Sequence, residues 1–153
     1  MLVLTLSSGD VVTFDDEDAG EVAAFEWKLL KVTTKNRVYK YAQAPSAGKT
    51  VLLHRWICKA PLGKVVDHID GNGLNNVRSN LRLCSHAENL CNTRRQFGKD
   101  LPKGVLKRKG RYGAQIRFGN IRRQRSGFDT VEEALKVYTE WAEELHGVFA
   151  RLD

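Results

Sequence analysis

Alternation of apolar and polar positions organises the first sixty residues. LVLTLSSGDVVTF, Leu2 to Phe14, alternates on both sides of a Ser-Gly-Asp turn, which predicts a β-hairpin. DDEDAGEVAAFEW places acids first and apolar residues later, the order that suits a short helix with a positive dipole end at its start. WKLLKV, VYKYAQA and TVLLHRWI read as short strands, the last turning helical before Pro61, with PSAGK as a tight turn between two of them. From Val65 to Asn92 the texture changes. VVDHID is a strand with an apolar start, NGLNNVRSN a polar loop, LRLCS a returning strand, and SHAENLCN a helix with Ser85 and Glu88 placed as a capping box. Six asparagines fall in this strand, strand, helix unit, where a core segment would hold aliphatic residues.

A break follows at QFGKDLPKG, where Gly, Pro and charge replace any period, and residues 96–103 are the expected linker. Beyond it GVLKR, YGAQIRF and IRRQRSGF, separated by KGR and GN turns, predict three short strands. The helix DTVEEALKVYTEWAEELHG comes last, with Thr130 and Glu133 as its capping box. Val131, Ala134, Leu135, Tyr138, Ala142 and Leu145 recur at helical spacing and supply its apolar face. The period of two in the middle strand puts Tyr112, Ala114, Ile116 and Phe118 on one side and Arg111, Gly113, Gln115 and Arg117 on the other. With the helix over the first side, the second presents Arg and Gln outward, and Arg123 and Arg125 of the third strand are expected alongside.

Composition narrows the class. The 153 residues are 42% hydrophobic and 28% charged, which suits a folded globular chain rather than a disordered one. No apolar run approaches the roughly 20 residues of a membrane span, and MLVLTLSSGD lacks the features of a secretion signal, so a cytoplasmic protein without a membrane partner is expected. Three cysteines with no Cys-x-x-Cys pair suggest reduced thiols rather than a disulfide framework or zinc site. The net charge is +7, and it is concentrated: twelve Lys and Arg face one Asp between Asn92 and Phe128. That density calls for a polyanion, and nucleic acid is the expected partner, with no small-molecule substrate. A ribbon or sheet bearing Arg and Gln has the dimensions to enter the major groove of double-stranded DNA.

Asp67 and His68 end the first arm of the strand, strand, helix unit, and Asn89 stands in the helix 22 residues after Asp67. This spacing brings a carboxylate and an amide within range of one hard cation, and oxygen ligands with room for water suit Mg²⁺, with Mn²⁺ as a substitute. The run Asp67-His68, Asn80, Asn89 resembles the HNH endonuclease motif, the ββα-metal fold, in the form found in phage and intron-encoded homing endonucleases. LLHRWI, VDHIDGN, LNNVRSNLRLCSHAEN and the following Asn-x-x-Arg are similar to the wording of that family. GVLKRKGRYGAQIRF, GFDTVEEA and VY resemble an ethylene-response-factor (APETALA-type) DNA-binding domain, with SGF one residue shorter than that family's usual spelling.

The resemblance implies an α+β protein: an HNH nuclease domain over 1–95 with its ββα-metal motif at 65–92, then a three-stranded antiparallel sheet with one packed helix over 104–153. It implies His68 as general base, Asp67 and Asn89 as holders of a divalent metal, and Asn80 as the residue that fixes the loop. Arg82, Arg94, Arg95, Arg111, Gln115, Arg117, Arg123 and Arg125 are the expected contacts to nucleic acid, and His54 and His86 are further candidates for the site. The expected reaction is metal-dependent hydrolysis of a DNA phosphodiester bond, as a nick or a double-strand break, by a monomer or a DNA-assembled dimer. Two alternatives stay open on the residues alone: a sequence-specific DNA-binding protein with a relic nuclease domain, and a nuclease directed at RNA.

Overall fold

A computed structural model describes residues 1–34, 37–91 and 100–150, in a chain that divides into two units, Met1–His86 and Ala87–Asp153. The first unit opens with the hairpin β1 (Leu2–Thr5) and β2 (Val11–Phe14), paired antiparallel with Leu2 opposite Phe14. Its turn closes through Leu6 N–H to the Asp10 carbonyl at 2.9 Å, and Gly9 takes the left-handed φ of 81° that the turn requires. The acidic segment forms a 3-10 turn at Asp16–Asp18 and a single helical turn, α1 (Ala19–Ala23). β3 (Lys28–Thr33), β4 (Val38–Ser46) and β5 (Lys49–Leu52) make a meander in that order, and α2 (Leu53–Ile57) follows at once. Leu53, His54 and Ile57 are the buried residues of α2.

The polar segment folds as β6 (Val65–His68), β7 (Asn75–Asn76), β8 (Leu81–Cys84) and α3 (His86–Cys91), with α3 crossing the division between the units. β6 and β8 pair antiparallel, His68 opposite Leu81 and Asp67 opposite Arg82. The loop between them is not the plain connection that its composition suggests. β7 pairs parallel with β2, Thr13 opposite Asn75 and Phe14 opposite Asn76, and a 3-10 turn at Arg78–Asn80 leads into β8. One apolar cluster supports all of this: Val12, Phe14, Val22, Trp27, Ala42, Leu53, Ile57, Val66, Leu74 and Leu81 are among its buried members. The loop therefore contributes Leu74 to the core, which holds its polar residues at fixed places around that anchor.

In the second unit β9 (Val105–Arg108), β10 (Arg111–Phe118) and β11 (Ile121–Phe128) form an antiparallel sheet with β10 central, followed by α4 (Val131–His146). The capping box is formed in full: Thr130 Oγ1 accepts from Glu133 N–H at 3.2 Å, and the Glu133 carboxylate accepts from Thr130 N–H. Ala134, Tyr138, Ala142 and His146 are the buried residues of α4, and they pack with Ala114 and Ile116 of β10. Gly104 lies directly under the Tyr138 ring at a φ of 77°, so a side chain there meets both strain and collision. Among the described residues no helix is long and apolar enough to cross a membrane.

The strand register corrects one expectation. The two-residue turn at Gly119 and Asn120 puts Phe118 opposite Ile121, so Arg117 faces Arg122, Ile116 faces Arg123, Gln115 faces Gln124 and Ala114 faces Arg125. Residues directly opposite in an antiparallel pair share a face. Arg123 and Arg125 thus lie on the helix side with Ala114 and Ile116, not beside Arg117. Arg123 confirms this by its bidentate pair to Glu144 of α4, at 2.6 and 2.7 Å, and Arg125 stands over the Phe128 ring at 5.5 Å. The open face carries Arg111, Gln115 and Arg117 of β10, Arg108 of β9, and Arg122 and Gln124 of β11.

Candidate active site

His68 is the last residue of β6, and its imidazole is buried with 6% of its surface exposed. Burial lowers its pKa below the ordinary histidine value, against the opposing pull of the Asn76 amide and the carboxylates of Asp70 and Asp67. The ring is therefore neutral at physiological pH, the form that accepts a proton. Asn76, wholly enclosed, is held in place by the β7–β2 pairing. Asp67 precedes His68, points to the other side of β6, and is buried. Its Oδ2 accepts from Arg82 Nε at 2.8 Å and pairs with Arg82 Nη2 at 2.7 Å, so Arg82 is engaged with Asp67 across the two strands.

The asparagines build the turn that follows. His68 O accepts from Gly71 N–H at 2.8 Å, and Asn80 O accepts from Ile69 N–H at 2.9 Å. Asn80 Oδ1 accepts from Asp70 N–H at 3.0 Å, while its Nδ2 donates to Asp70 Oδ1 at 3.0 Å and to the Asn75 carbonyl at 2.8 Å. Asp70 also accepts from Asn72 N–H and from Asn75 Nδ2, both at 2.8 Å. Burial pushes the Asp70 carboxyl up, but these donors from Asn72, Asn75 and Asn80 outweigh it and hold the group below its ordinary value. The many amides are hydrogen-bonding struts: each carries a donor and an acceptor on one short arm, and together they fix the backbone on both sides of His68 without adding charge.

Two aromatic rings complete the surroundings. His54 of α2 meets His68 edge to face, with ring centroids 4.9 Å apart at 78°. Tyr41 of β4 lies 5.5 Å from His54 and 6.1 Å from His68. Burial, aided by His68 and Arg55, lowers the His54 pKa to about 3. Gly73 passes so close to Tyr41 and to the Lys40 carbonyl that a side chain there has no room; Gly71, by contrast, serves the turn with a φ of 75°.

Residues 51–91 match the model of a family described as HNH endonuclease, a stretch that runs from β5 to α3 and includes His54, Asp67, His68, Asn80 and Asn89. The chain is also 39% identical over 136 residues to a curated protein named as an uncharacterized HNH endonuclease of Acanthamoeba polyphaga mimivirus, covering 84% of this chain and 67% of that protein. The chain belongs to the HNH endonuclease family. It is a nuclease, and nucleic acid is its substrate. No solved structure matches it.

The remaining expected residues of this HNH endonuclease lie on other elements. His86 is exposed at the start of α3, and Asn89 lies half-buried on the same helix, past the division between the units. Arg94 and Arg95 lie outside the described residues. Arg111, Gln115 and Arg117 are exposed on the open side of β10. Three carboxylates were missed as a group: Asp15, Glu17 and Asp18 lie with ligand atoms within 4.8 Å of one another. Arg78 already serves as their cation, pairing with Asp18 at 2.6 Å and Glu17 at 2.7 Å and donating its backbone N–H to Asp15 at 2.7 Å. This cluster ties the N-terminal turn to the loop before β8. Tyr41 and Asn76 also escaped the sequence reading, because only tertiary packing brings them to His68: β7 pairs with the distant β2, and the Tyr41 ring of β4 meets those of His54 and His68.

Proposed function

We propose that this HNH endonuclease is of the homing type and hydrolyses a phosphodiester bond of double-stranded DNA, with His68 as general base. The observation that carries the reading is a buried, neutral imidazole at the end of β6, followed by a turn in which the Asn80 amide ties down Asp70 N–H two residues on. His68 takes the proton from a water that attacks phosphorus; the bond to the 3′ oxygen breaks as the new one forms, and solvent supplies the proton to the departing oxygen. The products are a 3′ hydroxyl and a 5′ phosphate. Asp67 and Asp70 favour the imidazolium that results, so the base is neutral before the step and stabilised after it. Asn80 acts through position.

Asp67 and Asn89 hold a divalent cation in this proposal, Mg²⁺ with Mn²⁺ as substitute. The residue types fit: a carboxylate and a carboxamide offer the hard oxygen atoms that such a cation takes. When bound, such an ion supplies Lewis-acid stabilisation of charge on the scissile phosphate and the departing oxygen. Phosphate contacts from Arg82, Arg94, Arg95 and His86 belong to the same reading.

The second unit is proposed as the DNA anchor, as the resemblance to an ethylene-response-factor domain implies. Arg111, Gln115 and Arg117 provide the surface, joined by Arg122 and Gln124 through the register; the expected contacts Arg123 and Arg125 fall on the helix side, where Arg123 is held by Glu144. Arg suits guanine and phosphate, and Gln suits adenine, which favours duplex DNA read from a groove. Incubating the protein with supercoiled plasmid and Mg²⁺ is the test: nicked or linear product is expected with the native chain and none with His68→Ala. Unchanged cleavage by His68→Ala overturns the base assignment, and preferential cleavage of structured RNA overturns the substrate. The ratio of nicked to linear plasmid distinguishes a monomer from a dimer assembled on DNA.

A further inference from the structure

The base His68 is the final residue of a four-residue strand, a place where an imidazole turns about two side-chain bonds unless something packs against it. Here two rings do. His54 presents its ring nearly perpendicular to that of His68 at 4.9 Å, and Tyr41 completes a triangle with centroid distances of 5.5 Å to His54 and 6.1 Å to His68. The three rings come from three elements: β4, α2 and β6. Each is fixed independently. His54 is buried in a helix whose neighbours Leu53 and Ile57 are core residues, Tyr41 stands on the central strand of a three-stranded sheet, and Gly73 presses the Asp70–Asn80 loop against the Tyr41 ring.

We propose that Tyr41 and His54 are positioning residues of the nuclease, two aromatic walls that hold the His68 imidazole in the orientation from which it takes its proton. The inference rests on the assignment of His68 as base. His54 is suited to a packing task rather than a proton-transfer one: burial keeps it uncharged down to about pH 3, so it meets His68 as a neutral ring and adds no repulsion to the imidazolium that catalysis forms. Tyr41 likewise stays neutral, since burial, with Tyr39 and Asp67 nearby, pushes its phenol above the ordinary value. Edge-to-face contacts between rings are directional, which aliphatic packing is not. A base displaced by about 1 Å loses on the order of a hundredfold in rate. Rigid walls therefore matter more to kcat than to DNA affinity.

The experiment compares Tyr41→Phe, Tyr41→Ala, His54→Phe and His54→Ala with the native chain in single-turnover cleavage of supercoiled plasmid with Mg²⁺, at varied protein concentration. Both Phe variants keep a ring, and their rate constants are expected within about threefold of native. Both Ala variants are expected to lose tenfold to a hundredfold, roughly, in the rate constant, with the half-saturating concentration unchanged. Thermal melts identify variants that fold; if His54→Ala does not, Tyr41→Ala at its half-exposed strand position still decides. The proposal is overturned if folded Ala variants cleave at the native rate, if Tyr41→Phe or His54→Phe is as slow as the matching Ala variant, or if the loss appears in half-saturation alone. His68→Ala run alongside separates the two claims: full activity there refutes the base assignment, whereas an inactive His68→Ala with native-like Ala variants refutes only the aromatic walls.

Discussion

The two units treat polar side chains in opposite ways. Around His68 the polar groups are bonded to one another, Asp67 to Arg82 and Asp70 to three asparagines, with Asp67 and His68 buried. On the open side of the β9–β10–β11 sheet, Arg108, Arg111, Gln115, Arg117, Arg122 and Gln124 are all exposed. The first arrangement gives precision, because every buried polar group must find a partner and each partner removes a degree of freedom. The second gives reach. Exposed Arg side chains retain their rotamer freedom and their field, which suits attraction to a phosphate backbone more than exact placement. A nuclease needs both, and here they are separated along the chain.

The sharpest test of this division is the removal of the imidazole. His68→Ala is expected to slow cleavage by about 10²- to 10⁴-fold while leaving the affinity for DNA within about twofold of native; a gel-shift titration beside a cleavage time course measures both. Next in size is the converse change. Replacing Arg117 and Arg122 together by Gln is expected to make the dependence of log affinity on log salt shallower by about 1.8, since each phosphate contact contributes about 0.9, with the saturated cleavage rate unaffected. Equal salt slopes in the double variant and the native chain would break the comparison at the sheet.

Asn80→Ala removes three hydrogen bonds, to Asp70 N–H, Asp70 Oδ1 and the Asn75 carbonyl. At about 1 kcal/mol each, the expected loss is about 1 to 3 kcal/mol of stability, read from urea melts. Acid has a related effect. His54 binds its proton at about 3 in the folded protein against 6.5 for the ordinary group, so the unfolded chain takes up the proton first. Its contribution to stability is complete above about pH 6.5 and is lost as pH falls from there towards 3, by at most about 1.4 kcal/mol per pH unit for this group. His54→Phe is expected to flatten that part of the profile, and melts at pH 7.5 and 5.5 measure it. The smallest effect belongs to Arg123→Gln. With its guanidinium held by Glu144 on the helix side, Arg123 is expected to leave the salt slope unchanged; a change comparable to that of Arg117 and Arg122 would show that both faces bind DNA.

Much of the framework is set by local pattern. Thr130 and Glu133 announce the start of α4 because a capping box involves residues three apart, and Gly119 with Asn120 ends one strand and begins the next because few residues suit such a turn. The alternation in YGAQIRF predicts which residues of β10 share a face, and Ala114 and Ile116 are buried while Arg111, Gln115 and Arg117 of the other face are exposed. The family was also legible, since Asp67-His68, Asn80 and Asn89 fall in one matched stretch. The face taken by Arg123 and Arg125 was misjudged because charge suggested solvent, whereas the register of the two-residue turn fixes the face of every residue that follows it.

The amino-acid order by itself determined the short elements, the caps and turns, the cationic excess and the motif, because these depend on neighbours within a few residues. Only the tertiary structure decided that Asn75 and Asn76 form a strand with a hairpin some sixty residues earlier, that Arg78 bonds to three acids of the N-terminal turn, and that Tyr41 and His54 pack against His68. The reason is physical. Local periodicity states which side chains point the same way, but what they meet there depends on the burial of Leu74, Leu53 and Val12 in one shared core.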